Sequence, residues 1–179
     1  MLKPNDVVLV VVDVQGKLAT LMHEREQFNA NLVRMVQGAR LFDFPIVWNE
    51  QMPEKLGETI PELKEALSDH KPLIKQTFSC CGNDDFVSKL SSLNRKKVLL
   101  TGMETHICVY QTAVHLREAG YDVHVVYDAV SSRLPYNKEI GITAMRELGC
   151  HVTSVEMALF EMQDTAEGDR MRALVKIVK

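Results

Sequence analysis

Hydrophobic positions along the chain alternate between short continuous runs and helical stripes. The first run, residues 7–12, is six consecutive apolar residues, which is typical of a strand buried on both faces of a parallel sheet. The following segment repeats its apolar residues every three to four positions, which predicts a helix with one buried face. This stripe consists of Phe28, Leu32, Met35, Ala39 and Phe42. Pro45 cannot continue that helix, and a second predicted strand begins at Ile46.

The same alternation continues to the C-terminus. Residues 50–71 are polar and contain Pro53, Gly57 and Pro61, which predicts a surface excursion with one short helix after Pro61. The further predicted strands cover residues 73–75, 98–100, 123–127 and 152–155. Four further helices are predicted. One begins at Asn83 or Asp84, and the next runs from the end of the 98–100 strand to Gly120. The third covers residues 137–148 with Ile140, Ala144 and Leu148 in register, and the last starts near Asp164. Strands that alternate with helices indicate a three-layer, Rossmann-like α/β fold with helices on both faces of a parallel sheet.

Composition narrows the class of protein. A chain of 179 residues with 46% hydrophobic and 25% charged residues predicts one globular domain, residues 1–179. The net charge of −3 argues against a nucleic-acid partner, and no apolar run is long enough for a membrane span. The N-terminus shows no signal-peptide order, and the four cysteines show no disulfide spacing, so we expect a cytoplasmic protein.

Three polar residues follow predicted strands, at the edge where ligands bind in parallel sheets. They are Asp13, Lys75 and Cys108. Taken singly, each has a structural explanation, since cysteine is often a small buried hydrophobe, aspartate often caps a turn and lysine is usually solvated. Together they form a complete set for nucleophilic catalysis. The start of a helix and the lysine would favour the thiolate of Cys108, while Asp13 would carry the proton.

Metal and nucleotide motifs are weak in this sequence. The six histidines are scattered, and no Asp-x-His pair follows the second strand, where the segment reads Trp48-Asn49-Glu50-Gln51. Residues 102–106 contain one glycine and lack a phosphate-binding loop pattern. We therefore expect no metal and no cofactor. Trp48 and Phe78 lie near strand ends, where they would either line a pocket or pack as core or rim residues.

Several segments resemble the isochorismatase-like cysteine hydrolase family, and the resemblance spans nearly the whole chain. The most specific is Gly-Met-Glu-Thr-His-Ile-Cys-Val at residues 102–109; the others are residues 13–15, 75–79, 111–113, 121–123 and 128–133. Residues 49–57 look like the small isochorismatase-domain subgroup. The resemblance implies a six-stranded parallel sheet of order 3-2-1-4-5-6 and a catalytic triad of Asp13, Lys75 and Cys108.

The resemblance also implies the surroundings of the triad. A cis peptide between Met103 and Glu104 would turn the backbone N–H groups of Glu104 and Cys108 toward the substrate as an oxyanion hole. Substrate would further contact Gln15, Trp48 and Phe78. The implied partners are a small-molecule substrate and further copies of the chain, with no nucleic acid and no membrane.

The expected activity is cleavage of a small amide-type C–N bond through a thioester on Cys108. Zinc-dependent nicotinamide hydrolysis is disfavoured, because the Asp-x-His metal pair of nicotinamidases is absent after the second strand. Two alternatives remain. One is vinyl-ether hydrolysis of the isochorismatase type with Asp13 as general acid, which does not need the cysteine. The other is a non-catalytic protein that acts through its oligomer surfaces.

Overall fold

A central parallel sheet organises the molecule. The computed structural model describes residues 1–179 and contains six strands in the order β3-β2-β1-β4-β5-β6, all paired in parallel. The strands are β1 Val7–Val12, β2 Ile46–Gln51, β3 Leu73–Lys75, β4 Lys97–Met103, β5 Asp122–Ser131 and β6 His151–Thr153. The predicted fold class and strand order are therefore confirmed.

Nine α-helices connect and cover these strands. They are α1 Gly16–Ala19, α2 Arg25–Leu41, α3 Pro53–Leu56, α4 Pro61–Ala66, α5 Asp84–Ser92, α6 Tyr110–Glu118, α7 Pro135–Glu147, α8 Val155–Gln163 and α9 Gly168–Val178. Residues 50–71 hold two short helices where the sequence predicts one, because Pro53 also starts a helical turn. None of the helices is both long and apolar enough to cross a membrane.

The core consists of two apolar layers separated by the sheet. Along β1, Val7, Leu9 and Val11 face one layer, and the residues between them face the other. Helices α2, α4, α8 and α9 cover the first layer, while α5, α6 and α7 cover the second. The continuous apolar run of β1 is thus explained by burial on both faces, as predicted.

Helix α7 buries a different face from the predicted one. Ile140 and Leu148 are exposed, whereas Gly141, Ile142 and Met145 are buried. Gly141 determines this orientation, because a Cβ at this position would lie 2.9 Å from the carbonyl carbon and oxygen of Thr105. The helix therefore approaches the backbone before Cys108 along its glycine face, and its apolar Ile140 points outward.

Candidate active site

Asp13, Lys75 and Cys108 meet at the carboxyl edge of the sheet. Asp13 directly follows β1, Lys75 is the last residue of β3, and Cys108 lies in the turn after β4. Lys75 Nζ donates to Asp13 Oδ2 at 2.6 Å, and both side chains are almost completely buried. The topology brings together residues that are up to 95 positions apart because parallel strands end at one edge.

The Lys75 ammonium is held by four oxygen acceptors. Besides Asp13 Oδ2, it donates to Gln51 Oε1 at 3.0 Å and to the backbone carbonyls of Thr77 and Phe78, each at 2.9 Å. An ammonium has three N–H bonds, so its hydrogen-bonding capacity is used up by these oxygens. Lys75 therefore fixes the Asp13 carboxylate and the loop after β3 and makes no hydrogen bond to the Cys108 sulfur.

A π-helical turn, Thr105–Val109, carries Cys108 and continues into α6. The turn begins at Glu104, whose carbonyl accepts from the amide of Ile107 at 2.9 Å. Thr112 Oγ1 donates to the Cys108 carbonyl at 2.7 Å and accepts from the amide of Cys80 at 3.0 Å. The Cys108 sulfur, 3.7 Å from Gln51 Oε1, is thereby aimed at the ends of β1 and β2.

The thiol of Cys108 is neutral in this site. Burial and the negative charge of Asp13 raise its pKa to about 12, outweighing the positive charge of Lys75. The expected resting thiolate is therefore wrong. The thiol is neutral because of its position. Cys108 is the fourth residue of the helical turn, away from the first N–H groups of that turn, and it lies against a carboxylate.

Asp13 is arranged to accept the thiol proton. Burial raises its pKa, and the charge and hydrogen bond of Lys75 oppose that rise. The nearby Cys108 thiol, a hydrogen-bond donor, also acts to lower the pKa of Asp13. Asp13 Oδ2 accepts from Lys75, whereas Oδ1 is buried and has no hydrogen-bond partner in the protein. This leaves one carboxylate oxygen available to the thiol.

The expected cis peptide between Met103 and Glu104 is wrong. No peptide bond in the structure is cis, and the chain turns instead through Glu104, which has left-handed dihedral angles of φ 57° and ψ 67°. A left-handed residue reverses the chain at a smaller cost than a non-proline cis bond. The amide N–H of Glu104 makes no hydrogen bond to another backbone group.

A cavity of about 280 Å³ opens beside the triad. Its lining contains Asp13, Leu18, Gln51, Leu56, Phe78, Met103, Glu104, Ile107, Cys108 and Arg133. The structure brings Phe78 to this cavity but not Trp48 or Gln15. The Trp48 indole packs in the core and donates to Thr59 Oγ1 at 2.9 Å, and Gln15 Nε2 donates to the backbone carbonyls of Gln51 and Gly57.

Sequence reasoning missed Gln51 and Arg133. Gln51 is the last residue of β2, so the rule that ligands bind at strand ends would have found it once the strand was extended to its true end. Arg133 Nε donates to Glu104 Oε1 at 2.7 Å, and its side chain is half exposed. Arg133 follows the end of β5, which the sequence analysis placed too early, at residue 127.

Replacing Gly141 by alanine should disturb this site, because α7 packs against the π-helical turn that carries Cys108. The new methyl would lie 2.9 Å from the Thr105 carbonyl and 3.0 Å from His106 Cα, so α7 or the π-helical turn must shift. Such overpacking costs about 1–3 kcal/mol, which equals or exceeds the ~1 kcal/mol that alanine gains over glycine in a helix. Chemical denaturation should show a net loss of unfolding free energy, and labelling of Cys108 by a thiol alkylator should be reduced. The matched variant Thr143→Ala, at an exposed position of α7, should change neither.

Comparisons with known proteins agree with this architecture. The model of the isochorismatase domain matches residues 7–157. The chain is 36% identical to a protein named Secreted isochorismatase effector Isc1 from Phytophthora sojae (strain P6497), covering 98% of this chain and 86% of that protein. It superposes with a TM-score of 0.92 on the MAR1 ribonuclease of Caenorhabditis elegans, at 31% identity over 99% of this chain and 91% of that one.

A second solved structure shares the fold at lower identity. It is an Escherichia coli protein described as an octameric hydrolase of unknown specificity, with a TM-score of 0.92 and 24% identity over 98% of this chain and 89% of that one. The match of the domain model over most of the chain, together with the 36% identical relative, decides the assignment. This chain belongs to the isochorismatase domain family.

Proposed function

We propose that this protein is a cysteine hydrolase that cleaves a small amide-type C–N bond through a thioester on Cys108. The observation that carries the proposal is that Cys108 and Asp13 line the same cavity, where the buried Oδ1 of Asp13 has no hydrogen-bond partner and the Cys108 thiol donates only to Gln51 Oε1. A base next to a neutral nucleophile is the arrangement that activates serine and cysteine hydrolases. Lys75 holds the carboxylate in place from the opposite side.

The proposed reaction starts with transfer of the Cys108 proton to Asp13 Oδ1 as the sulfur bonds to the carbonyl carbon. The backbone N–H groups of Glu104 and Cys108 would stabilise the oxyanion. The C–N bond then breaks, and the leaving nitrogen takes the proton from Asp13. Water next attacks the thioester while Asp13 accepts its proton, and return of that proton to sulfur releases the acid. Asp13 thus acts alternately as base and acid.

The cavity supports a small substrate. Its volume of about 280 Å³ lies just below the usual range of ~300–1,000 Å³ for ligand pockets. Leu18, Leu56 and Phe78 supply an apolar wall, while Glu104 and the half-exposed Arg133 supply polar contacts. This combination favours a molecule with one apolar side and one group that accepts or donates hydrogen bonds.

A second candidate function is vinyl-ether hydrolysis, as in isochorismatases. The raised pKa of Asp13 supports it, because a carboxyl group that holds its proton more strongly can serve as a general acid. The word isochorismatase in the name of the 36% identical relative also favours it. In this reaction Asp13 protonates the substrate directly, and Cys108 has no covalent role.

A substrate screen tests the proposal. Small aliphatic and aromatic amides, vinyl ethers including isochorismate, and an RNA oligonucleotide would be incubated with the full chain, and products would be identified by mass spectrometry. We expect carboxylic acid from an amide, with a transient mass increase on the peptide containing Cys108 after rapid quenching. Cleavage of vinyl ether or RNA alone would contradict the proposal. The RNA arm is included because one structural relative is named a ribonuclease.

We also propose that residues 1–179 act as one domain that associates with itself in the cytoplasm. Leu174 of α9 packs in the same core as α2, and all four cysteines are free thiols. Helix α7 exposes Tyr136 and Ile140, and Leu148, the residue after its end, is exposed as well. Ile140→Asp should lower the molar mass measured by light scattering, whereas Thr143→Ala should not. An unchanged mass in Ile140→Asp would exclude this face as the interface.

A further inference from the structure

Two histidines and an aspartate cluster at the amino end of the sheet, opposite the candidate active site. Asp122 and His124 are two residues apart on β5, so their side chains point to the same face of the sheet. His151, the first residue of the edge strand β6, pairs directly with His124. Because strand pairing fixes all three backbones, the cluster is held by the fold.

The side-chain atoms of this cluster converge. His124 Nε2 lies 3.2 Å from Asp122 Oδ2, and His151 Nε2 lies 3.2 Å from Asp122 Oδ1. One ligand atom from each residue lies within 4.8 Å of the other two. In a tetrahedral zinc site with bonds of about 2.0–2.1 Å, neighbouring ligand atoms are about 3.3 Å apart. Each histidine nitrogen lies at about this spacing from one Asp122 oxygen, but the two use different oxygens, so binding of a single ion requires small side-chain movements that bring both nitrogens toward it.

We propose that Asp122, His124 and His151 bind a divalent transition-metal ion of the zinc, cobalt or nickel class. Imidazole nitrogen and carboxylate oxygen are the ligand types that these ions prefer. His151 is largely exposed and His124 is mostly buried, so the ion enters from solvent and completes its coordination with water. Bound there, it joins the three-residue edge strand β6 to β5 and lies away from the cavity.

The carboxylate of Asp122 favours binding of a cation at this cluster, and one nearby positive charge opposes it. Each histidine nitrogen lies 3.2 Å from an Asp122 oxygen, so an ion that binds here replaces the hydrogen bonds of the cluster and displaces the protons that they hold. Lys97, paired with Asp122 across β4 and β5, places a positive charge nearby. That charge should weaken metal binding without abolishing it.

Zinc titration of the tag-free full chain tests the proposal. Calorimetry should give one ion per chain, and the imidazole NMR signals of His124 and His151 should shift during the titration. His151→Ala should weaken binding by at least about tenfold, since even changes to outer-shell partners cost about 10–100-fold. Lys97→Gln should bind zinc several-fold more tightly, a gain that a purely structural role for the cluster would not produce.

His70→Ala is the matched control, because His70 contacts a single carboxylate, that of Asp69, and belongs to no three-residue cluster. It should bind zinc as the wild type does. The proposal would be overturned by the absence of saturable binding in the millimolar range. Binding that survives His151→Ala, or that shifts only signals near Cys108, would overturn it as well. Circular dichroism of each variant verifies that the fold is retained.

Discussion

Cys108→Ala should lower the rate of amide hydrolysis by at least about 10³-fold, because removal of a covalent nucleophile eliminates the step on which the reaction depends. The fold should be unaffected, since alanine fits in place of a small buried side chain. The hydrogen bond from Thr112 Oγ1 to the backbone carbonyl of Cys108 does not involve the replaced side chain and stays intact. Steady-state kinetics on the best amide from the screen measures the effect. Binding of the unreacted amide to this variant can be followed separately by calorimetry.

The control for this experiment is Cys81→Ala. Cys81 is the one cysteine of the four that is not buried, and it does not line the cavity. It should keep the wild-type rate within about twofold. If Cys108→Ala instead retained most of its activity on a vinyl ether, while Asp13→Asn lost it, the second candidate function would replace the first.

Lys75→Met should destabilise the protein by about 3–5 kcal/mol, the usual cost of breaking a buried ion pair by removing one partner. Methionine matches the length of lysine but leaves Asp13 as a buried carboxylate with no cation beside it. It also removes the hydrogen bonds to the Thr77 and Phe78 carbonyls. Urea denaturation monitored by circular dichroism would give the change in the free energy of unfolding.

Lys64→Met provides a matched comparison. Lys64 Nζ also lies 2.6 Å from its carboxylate partner, Glu58, but this pair is exposed, so its loss should leave the unfolding free energy almost unchanged.

The loss of unfolding free energy in Lys75→Met should become smaller as the pH falls from 8 to 5. Loss of Lys75 raises the pKa of Asp13 further, and a group with a raised folded pKa destabilises the fold progressively as the pH increases. A deficit independent of pH would show that lost packing dominates.

The sheet and the position of the site could be predicted from the sequence. The continuous apolar run of β1 identifies a central parallel strand, and the rule that strand ends converge brings Asp13, Lys75 and Cys108 to one edge. The order of the strands depended on the family resemblance. Local periodicity identifies individual strands but does not specify which neighbours they pair with.

Other features depend on tertiary contacts that local patterns do not contain. The buried face of α7 follows from close backbone contact at Gly141, whereas apolar periodicity favoured Ile140. Gln51 was missed because β2 extends past its apolar residues while it pairs with β3. The protonation of Cys108 depends on the burial of the thiol and on the facing carboxylate. Both are properties of the folded site.

The central claim is that Asp13 takes the proton of Cys108. Its most direct test is the rate of Cys108 alkylation by iodoacetamide between pH 5 and 9, followed by peptide mass spectrometry. We predict labelling of Cys108 before Cys80, Cys81 and Cys150. Its rate should rise as Asp13 ionises, above the usual carboxyl range, and then stay level, whereas in Asp13→Asn, which lacks the base, the rate should keep climbing with pH across the whole range. A wild-type rate that climbs about tenfold per pH unit up to pH 8, as for an isolated thiol of pKa ~8.5, and is unchanged in Asp13→Asn would contradict the account.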